Sequence, residues 1–161
     1  MEQRREILIV DDDRQVREVL HEIFLSAGYT CRLAQNGADG VQAFREARPP
    51  LTITDLKMPV MDGIGLLQNV RELDGDAAVI VLTGAPDIKT AIDSLKLGAY
   101  DFIMKPVNVD ELLIAAERAL ERRELLIERR HYQELLERRV AEATRDLASA
   151  YAQLQDTYRA T

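Results

Sequence analysis

The sequence predicts an α/β fold in which a five-stranded parallel sheet carries helices on both faces. Two observations support this prediction. Short apolar runs recur along the first two thirds of the chain, at 7–10, 30–33, 51–54, 78–82 and 100–104. Segments with apolar residues at helical spacing lie between these runs. Alternating strands and helices are typical of a doubly wound sheet, because each crossover helix covers one face of the strands it connects.

Each of the first four predicted helices has a start or stop signal. The first ends at Gly28, the second ends before Pro49, the third opens after Asp62, and the fourth runs from near Pro86 to Gly98. The apolar residues at helical spacing that mark these helices are Val16, Val19, Leu20, Ile23 and Phe24, then Val41 and Phe44, then Ile64, Leu67 and Val70, and finally Ile88, Ala91, Ile92 and Leu95.

Composition excludes several classes of protein. The 161 residues are 47% hydrophobic and 30% charged, which suits one domain with an appendage. A net charge of −7 disfavours a general basic face for nucleic acid. Cys31 is the one cysteine, so no intrachain disulfide can form, and we interpret it as a small core residue. The apolar runs are too short to span a membrane and the N-terminus lacks a signal-peptide pattern, so we expect a cytoplasmic protein.

The C-terminal third is predicted to be one continuous helix. No glycine or proline follows Pro106, and Asn108 or Asp110 would cap the helix start. Its first turns would cover the sheet through Leu113, Ala116 and Leu120. Farther along, a heptad seam favours a parallel dimeric coiled coil, with a single charged helix as the alternative; the seam residues are Leu136, Val140, Ala143, Leu147, Ala150 and Leu154. We therefore predict a globular domain over 5–120 and a helical stalk over 121–161.

Polar side chains follow the predicted strands at the points where the strands end. Asp11 and Asp12 follow the first, Asp55 the third, Thr83 the fourth and Lys105 the fifth. The carboxyl ends of parallel strands meet at one edge of the sheet, where ligands of such folds bind. Clustered carboxylates repel one another unless a cation is present, and hard oxygen ligands suit Mg²⁺. A carboxylate beside Mg²⁺ and a lysine can accept a phosphoryl group. The neighbouring Asp13, like Asp62, is interpreted as a helix cap.

Four motifs, ILIVDDD, TDLKMPVMDG, VLTGAPD and DFIMKP, occur in this order. Together they resemble the receiver domain of two-component response regulators, over about residues 5–120. The resemblance implies a flavodoxin-like fold with strand order 2-1-3-4-5. It also implies that Asp55 is the phosphoacceptor. Asp12 would bind Mg²⁺ directly, Asp11 largely through water, and the backbone carbonyl of Lys57 would be a further ligand.

The same resemblance implies roles for residues at the ends of the last two strands. Thr83 would be the switch hydroxyl that engages the phosphoryl group, and Lys105 would pair with the phosphate. Pro106 implies a cis Lys105–Pro106 peptide bond. Phe102 would be the switch aromatic that moves inward with Thr83. The side chain of Lys57 is expected to flank the phosphoryl group and to affect its lifetime.

The function predicted from these residues is phosphorylation-controlled signalling. A partner histidine kinase or histidine phosphotransfer protein would donate to Asp55, and the change would reach an output domain through a dimeric stalk. The chain ends without a helix stop, so we expect an output domain to follow, with an HD-GYP, histidine kinase or GGDEF domain as candidates. Two alternatives are a Mg²⁺-dependent aspartyl-phosphate hydrolase, although Lys57 takes the place of its acid/base carboxylate, and a phosphorylation-independent dimerisation module.

Overall fold

A five-stranded parallel sheet forms the centre of the fold, with strand order β2-β1-β3-β4-β5. The computed structural model describes residues 5–160. The predicted parallel sheet and its strand order are both confirmed. The strands are β1 (Glu6–Val10), β2 (Thr30–Ala34), β3 (Leu51–Asp55), β4 (Ala78–Thr83) and β5 (Asp101–Met104).

Five α-helices connect and follow these strands. They are α1 (Arg14–Ser26), α2 (Gly37–Ala47), α3 (Gly63–Leu73), α4 (Ile88–Lys96) and α5 (Val109–Ala160). The predicted fourth helix begins later than expected, because a 3-10 turn over Ala85–Asp87 precedes α4. In this turn the amide of Asp87 donates to the carbonyl of Gly84, 3.1 Å away, so the chain is wound too tightly to start the α-helix at Pro86.

Short polar side chains cap most helix starts. The carboxylate of Asp13 accepts from the amides of Gln15 and Val16 at the start of α1. Asp62 caps α3 in the same manner, as predicted. At the start of α5, Asn108 accepts from the amide of Glu111 at 3.1 Å, which satisfies a donor that has no partner within the helix.

Two apolar cores lie on opposite faces of the sheet, because alternate residues of each strand point in opposite directions. Ile7 and Ile9 of β1 pack with α1 and the beginning of α5. Leu8 and Val10 pack with α2 and α3. The doubly wound arrangement follows from this pattern, since neither face of the sheet can be left to water.

Three of the apolar residues that mark the predicted helices are exposed. Val19 of α1 is 56% exposed, and Ile92 and Leu95 of α4 are 44% and 38% exposed. A helix packed on a sheet buries only one narrow arc of its surface, so the outer residues of an apolar stripe reach solvent. The start of α5 shows the same effect. Its buried residues are Leu112, Ala115, Ala116 and Ala119, while the predicted Leu113 and Leu120 are half-buried beside them.

The edge strand β2 is less covered than its neighbours. Cys31 is half-buried there and packs against the core rather than lying within it. Burial raises the pKa of its thiol to about 11, so the thiol stays protonated at neutral pH.

The described residues divide into two compact units, 5–124 and 125–160. The first contains the whole sheet, and the second is helical throughout. The sequence-based boundaries, 5–120 and 121–161, remain a prediction, and Thr161 lies outside the described residues. Within the described range, no helix combines the length and apolar character needed to cross a bilayer.

Candidate functional site

Three carboxylates meet where β1 and β3 end. Asp11, Asp12 and Asp55 each offer one oxygen, and these three oxygens lie within 4.8 Å of one another. The cluster forms because β1 and β3 are paired neighbours, with Val10 opposite Thr54, so that the next residues of both strands share one edge. Asp11 is buried, Asp55 half-buried and Asp12 exposed. Three hard oxygen donors open to solvent on one side fit a divalent cation such as Mg²⁺.

A single ammonium group connects two of these carboxylates. The Nζ atom of Lys105 lies 3.2 Å from Oδ1 of Asp55 and 3.3 Å from Oδ2 of Asp11. Lys105 follows β5, which is separated from β3 by β4, so its long side chain must cross the end of β4. The Lys105–Pro106 peptide bond is cis. The structure thus brings together four of the predicted site residues, Asp11, Asp12, Asp55 and Lys105.

The carboxylates carry more negative charge than this lysine balances. Burial raises the pKa of Asp11 above its ordinary value, although the Asp13 amide and Lys105 oppose the shift. Burial and the charge of Asp11 raise the pKa of Asp55, again against Lys105. Burial lowers the pKa of Lys105, but the two carboxylates outweigh it and the net shift is upward. A bound cation would relieve the remaining repulsion among the carboxylates.

Backbone hydrogen bonds hold the carboxylates of Asp11 and Asp55 in place. Oδ1 of Asp11 accepts from the amide of Asp13 at 2.9 Å, and Oδ1 of Asp55 accepts from the amide of Leu56 at 2.9 Å. The guanidinium of Arg17 donates to the carbonyl oxygen of Asp11 at 2.6 Å. Arg17 is a site residue that sequence reasoning missed. The sequence signal that could have identified Arg17 is a cationic residue in the first turn of the helix that follows the acidic cluster.

Thr83 lies on β4, which neighbours β3, and Phe102 lies on β5, one strand farther out. Thr83 ends β4, is 1% exposed and donates from its hydroxyl to the carbonyl of Gly84 at 3.2 Å. Its strand neighbour Leu82 is paired with Asp55, so the hydroxyl stands one residue beyond the candidate phosphoacceptor. Phe102 on β5 is half-buried against the core formed with α2 and α3. The switch roles of Thr83 and Phe102 remain predictions.

The side chain of Lys57 forms an ion pair outside the acidic cluster. Its ammonium lies 2.8 Å from Oδ1 of Asp87, in the 3-10 turn that follows β4. Sequence reasoning expected Lys57 beside the phosphoryl group and did not identify Asp87 as its partner. The predicted metal-ligand role belongs to the backbone carbonyl of Lys57 and is unaffected by this ion pair.

The loop between β3 and α3 packs against the backbone of Asp55. The amide of Gly63 donates to the carbonyl of Leu56 at 2.9 Å. A Cβ atom at Gly63 would lie 2.4 Å from the carbonyl oxygen of Asp55, far inside contact distance. Only glycine allows the loop to approach this closely, and the approach fixes where β3 ends and Asp55 projects.

Comparison with known proteins identifies the family. The family model described as the response regulator receiver domain matches residues 7–117, which cover the sheet except for its first residue, Glu6, and every residue of the cluster. The chain belongs to this family. The receiver expected from the four motifs is therefore confirmed, together with its flavodoxin-like fold.

Two curated relatives are much longer than this receiver chain. The DNA-binding transcriptional regulator NtrC of Escherichia coli (strain K12) is 32% identical over 160 residues, covering 98% of this chain and 32% of that protein. The regulatory protein AtoC of the same organism is 35% identical over 130 residues, covering 81% of this chain and 28% of that protein. The chain spans about a third or less of the length of these relatives.

Solved structures give the same result for the fold. A response regulator receiver domain protein from Clostridium thermocellum superposes with a TM-score of 0.73 at 32% identity, covering 75% of this chain and 98% of that one. NtrX from Brucella abortus superposes with a TM-score of 0.73 at 33% identity, covering 76% of this chain and 28% of that one.

Proposed function

We propose that this receiver accepts a phosphoryl group on Asp55 and passes the resulting change to an output domain. One observation carries the proposal: the carboxylate of Asp55 stands beside those of Asp11 and Asp12 and 3.2 Å from the ammonium of Lys105. A nucleophilic carboxylate, oxygen ligands for a cation and a fixed positive charge are the groups that phosphoryl transfer requires.

The proposed donor is the phosphohistidine of a partner histidine kinase or histidine phosphotransfer protein in the cytoplasm. An oxygen of Asp55 attacks phosphorus, the P–O bond forms, and the P–N bond breaks as the imidazole leaves with the electron pair. Lys105 stabilises the negative charge on the transferred oxygens, and the hydroxyl of Thr83 can turn from Gly84 to donate to one of them. Mg²⁺, held by Asp11, Asp12, Asp55 and the carbonyl of Lys57, would neutralise further charge on the phosphoryl group.

The proposed product is the protein carrying one phosphoryl group per chain, rather than free phosphate released over many turnovers. An aspartyl-phosphate hydrolase needs an acid/base carboxylate near its nucleophile, and Lys57 stands two residues after Asp55. Lys57 has an ammonium group, which pairs with Asp87, and so this position supplies no acid/base carboxylate. This favours a signalling role over turnover of an external substrate.

Intact-protein mass spectrometry after incubation with acetyl phosphate separates the candidate functions. We expect one phosphoryl group per chain with Mg²⁺ and none after Asp55→Asn. Multiple turnover of acetyl phosphate, dependent on Asp55, would instead support the hydrolase. No uptake under any condition would support the phosphorylation-independent dimerisation module.

The second unit, 125–160, supports the proposal of a homodimer. Its predicted seam residues are open to solvent in the single chain: Leu136 is 41% exposed, Val140 65%, Leu147 72% and Leu154 67%. Burying them against a second copy of the same helix removes this apolar surface from water. We expect sedimentation equilibrium to give a dimer that Leu147→Glu dissociates. Arg145→Glu, an exposed change off the seam, should leave the dimer intact, and a monomeric parent chain would contradict the proposal.

The length of the curated relatives bears on the proposed output domain. Relatives about three times as long, among them a DNA-binding transcriptional regulator, favour an output domain that controls transcription. The HD-GYP, kinase and GGDEF alternatives predict different downstream motifs. Reading the coding sequence beyond Thr161 tests this directly, since a helix-turn-helix motif and an HD-GYP motif are readily distinguished.

A further inference from the structure

An ion pair connects two loops beside the proposed phosphorylation site. Lys57 lies in the loop after β3, two residues beyond Asp55, and Asp87 ends the 3-10 turn after β4. Their charged atoms are 2.8 Å apart. The Lys57 side chain is 75% exposed, whereas that of Asp87 is 19% exposed. The lysine is thus the mobile partner, and the carboxylate is held against the fold.

Asp87 occupies the N-cap position of α4, but its carboxylate does not cap the helix. Asp13, Asn36 and Asp62, which precede α1, α2 and α3, have extended backbones, and each accepts a backbone amide hydrogen bond through its side chain. Asp87 is also the residue before its helix, yet its side chain accepts no such bond, and its φ of −108° and ψ of 14° are not extended. The carboxylate placed to cap α4 is instead paired with Lys57.

We propose that Lys57 and Asp87 form a latch that opens when Asp55 is phosphorylated. The proposal rests on the proposed function. A phosphoryl group on Asp55 attracts the ammonium of Lys57, which is two residues away and on a flexible side chain. Asp87, once released, rotates to an extended backbone and accepts from the amide of Lys89 or Thr90 at the start of α4. The 3-10 turn opens, and the beginning of α4 becomes capped.

The size of the effect follows from the exposure of the lysine. Exposed ion pairs contribute little to stability, which corresponds to a factor of roughly 2–5 in an equilibrium constant. The latch is therefore a small bias toward the unphosphorylated form rather than a lock. A single new negative charge next to the ion pair is sufficient to overcome a bias of this size.

The exchange of partners can be tested without any phosphoryl group. Lys57→Met should free Asp87 to cap α4, so that hydrogen exchange at the amides of Lys89 and Thr90 slows by about 2–5-fold. Adding Asp87→Ala should abolish this slowing, because no cap remains. Lys96→Met, which removes an exposed lysine at the other end of α4, is the matched control. Unchanged exchange in Lys57→Met, or equal slowing in the double variant, refutes the latch.

Coupling to the phosphoryl site is tested by titration with Mg²⁺ and beryllofluoride, a phosphoryl analogue. Asparagine caps helices as well as aspartate but cannot form the ion pair, so Asp87→Asn should tighten binding by about 2–5-fold. The same change in a Lys57→Met background should have no effect. Asp93→Asn, an exposed change of equal charge on α4, should bind as the parent does.

The outcomes separate the two proposals. If the parent binds beryllofluoride only when Asp55 is present, and Asp87→Asn binds no more tightly, the latch is refuted and the proposed function stands. If the parent binds no beryllofluoride, the proposed function fails and the latch fails with it. Tighter binding that persists in the Lys57→Met background also refutes the latch, because the effect then arises elsewhere.

Discussion

Lys105 and Asp55 meet at the edge of the sheet although their strands are not neighbours. The Nζ atom lies 3.2 Å from Oδ1 of Asp55, and a second carboxylate, that of Asp11, lies 3.3 Å from the same nitrogen. Among the described residues, this lysine is therefore the positive charge that bridges the proposed phosphoacceptor, Asp55, to Asp11. Its net raised pKa keeps it charged at neutral pH.

Replacing this lysine should slow phosphorylation more than it harms the fold. Under the proposed function, Lys105→Met removes a charge that faces the transferred oxygens, and loss of such a group typically costs on the order of 100-fold in rate. We expect phosphorylation of Asp55 by acetyl phosphate to slow by about that factor, measured by mass spectrometry over time. The exposed Lys96→Met variant should keep the parental rate. Equal rates in both variants would remove Lys105 from the transfer step.

Binding of Mg²⁺ should weaken at a higher pH than an ordinary aspartate cluster would show. Burial raises the pKa of Asp11 and of Asp55, so protons compete with the metal above the usual value of 3.8 for this side chain. We expect calorimetric titrations to show full affinity near pH 7 and a progressive loss as the pH falls toward these raised values. A loss that began only below 3.8 would show that both carboxyl groups titrate normally.

Without a divalent cation, the charged site should destabilise the fold at neutral pH. A carboxyl group whose pKa is higher in the folded state stabilises the fold below its unfolded pKa, and this contribution is lost as the pH rises through the folded value. Asp55→Asn removes one such group, so its free energy of unfolding at pH 7 should exceed that of the parent by about 1 kcal/mol. Urea unfolding followed by circular dichroism measures the difference, and added Mg²⁺ should narrow it.

No side chain should be tolerated at Gly63, because the backbone there lies close to that of Asp55 and Leu56. Gly63→Ala places a Cβ atom 2.4 Å from the carbonyl oxygen of Asp55 and 3.0 Å from Cα of Leu56, both backbone atoms that cannot move alone. We expect a loss of about 2–3 kcal/mol in unfolding free energy and slower phosphorylation of the displaced Asp55. Gly75→Ala is the matched control, because a Cβ atom there would meet nothing within 4 Å. Its stability should stay within about 0.5 kcal/mol of the parent.

Val60 holds a strained backbone in the loop that follows Asp55. Its φ is 71°, in the left-handed region that β-branched residues avoid, and its side chain is 83% exposed. Val60→Gly should therefore raise the free energy of unfolding, by about 1 kcal/mol. Val19→Gly, at an exposed site within helix α1, should lower it by a similar amount. Thermal unfolding of the two variants beside the parent would show opposite shifts, and a loss in both would refute the strain.

Local sequence patterns were sufficient to predict the layers of the fold and the residues at its functional edge. Apolar runs alternating with helical segments predict a parallel sheet, because only two covered faces can bury such strands. Asp11, Asp55 and Lys105 were recognisable because each directly follows a run, and the carboxyl ends of parallel strands share one edge. The caps at Asp13 and Asp62 were equally readable, since capping depends on only three or four neighbouring residues.

Contacts in which a side chain reaches from one element to another became visible only in the folded chain. Lys57 pairs with Asp87, and Arg17 turns back to the carbonyl of Asp11. Both contacts depend on where loops and helices sit in space, which no local periodicity encodes. The exposure of Val19 also depends on packing between elements, since the packing of a helix on its sheet sets the width of the buried stripe. Local preferences therefore place residues along an element, whereas the geometry between elements selects their partners.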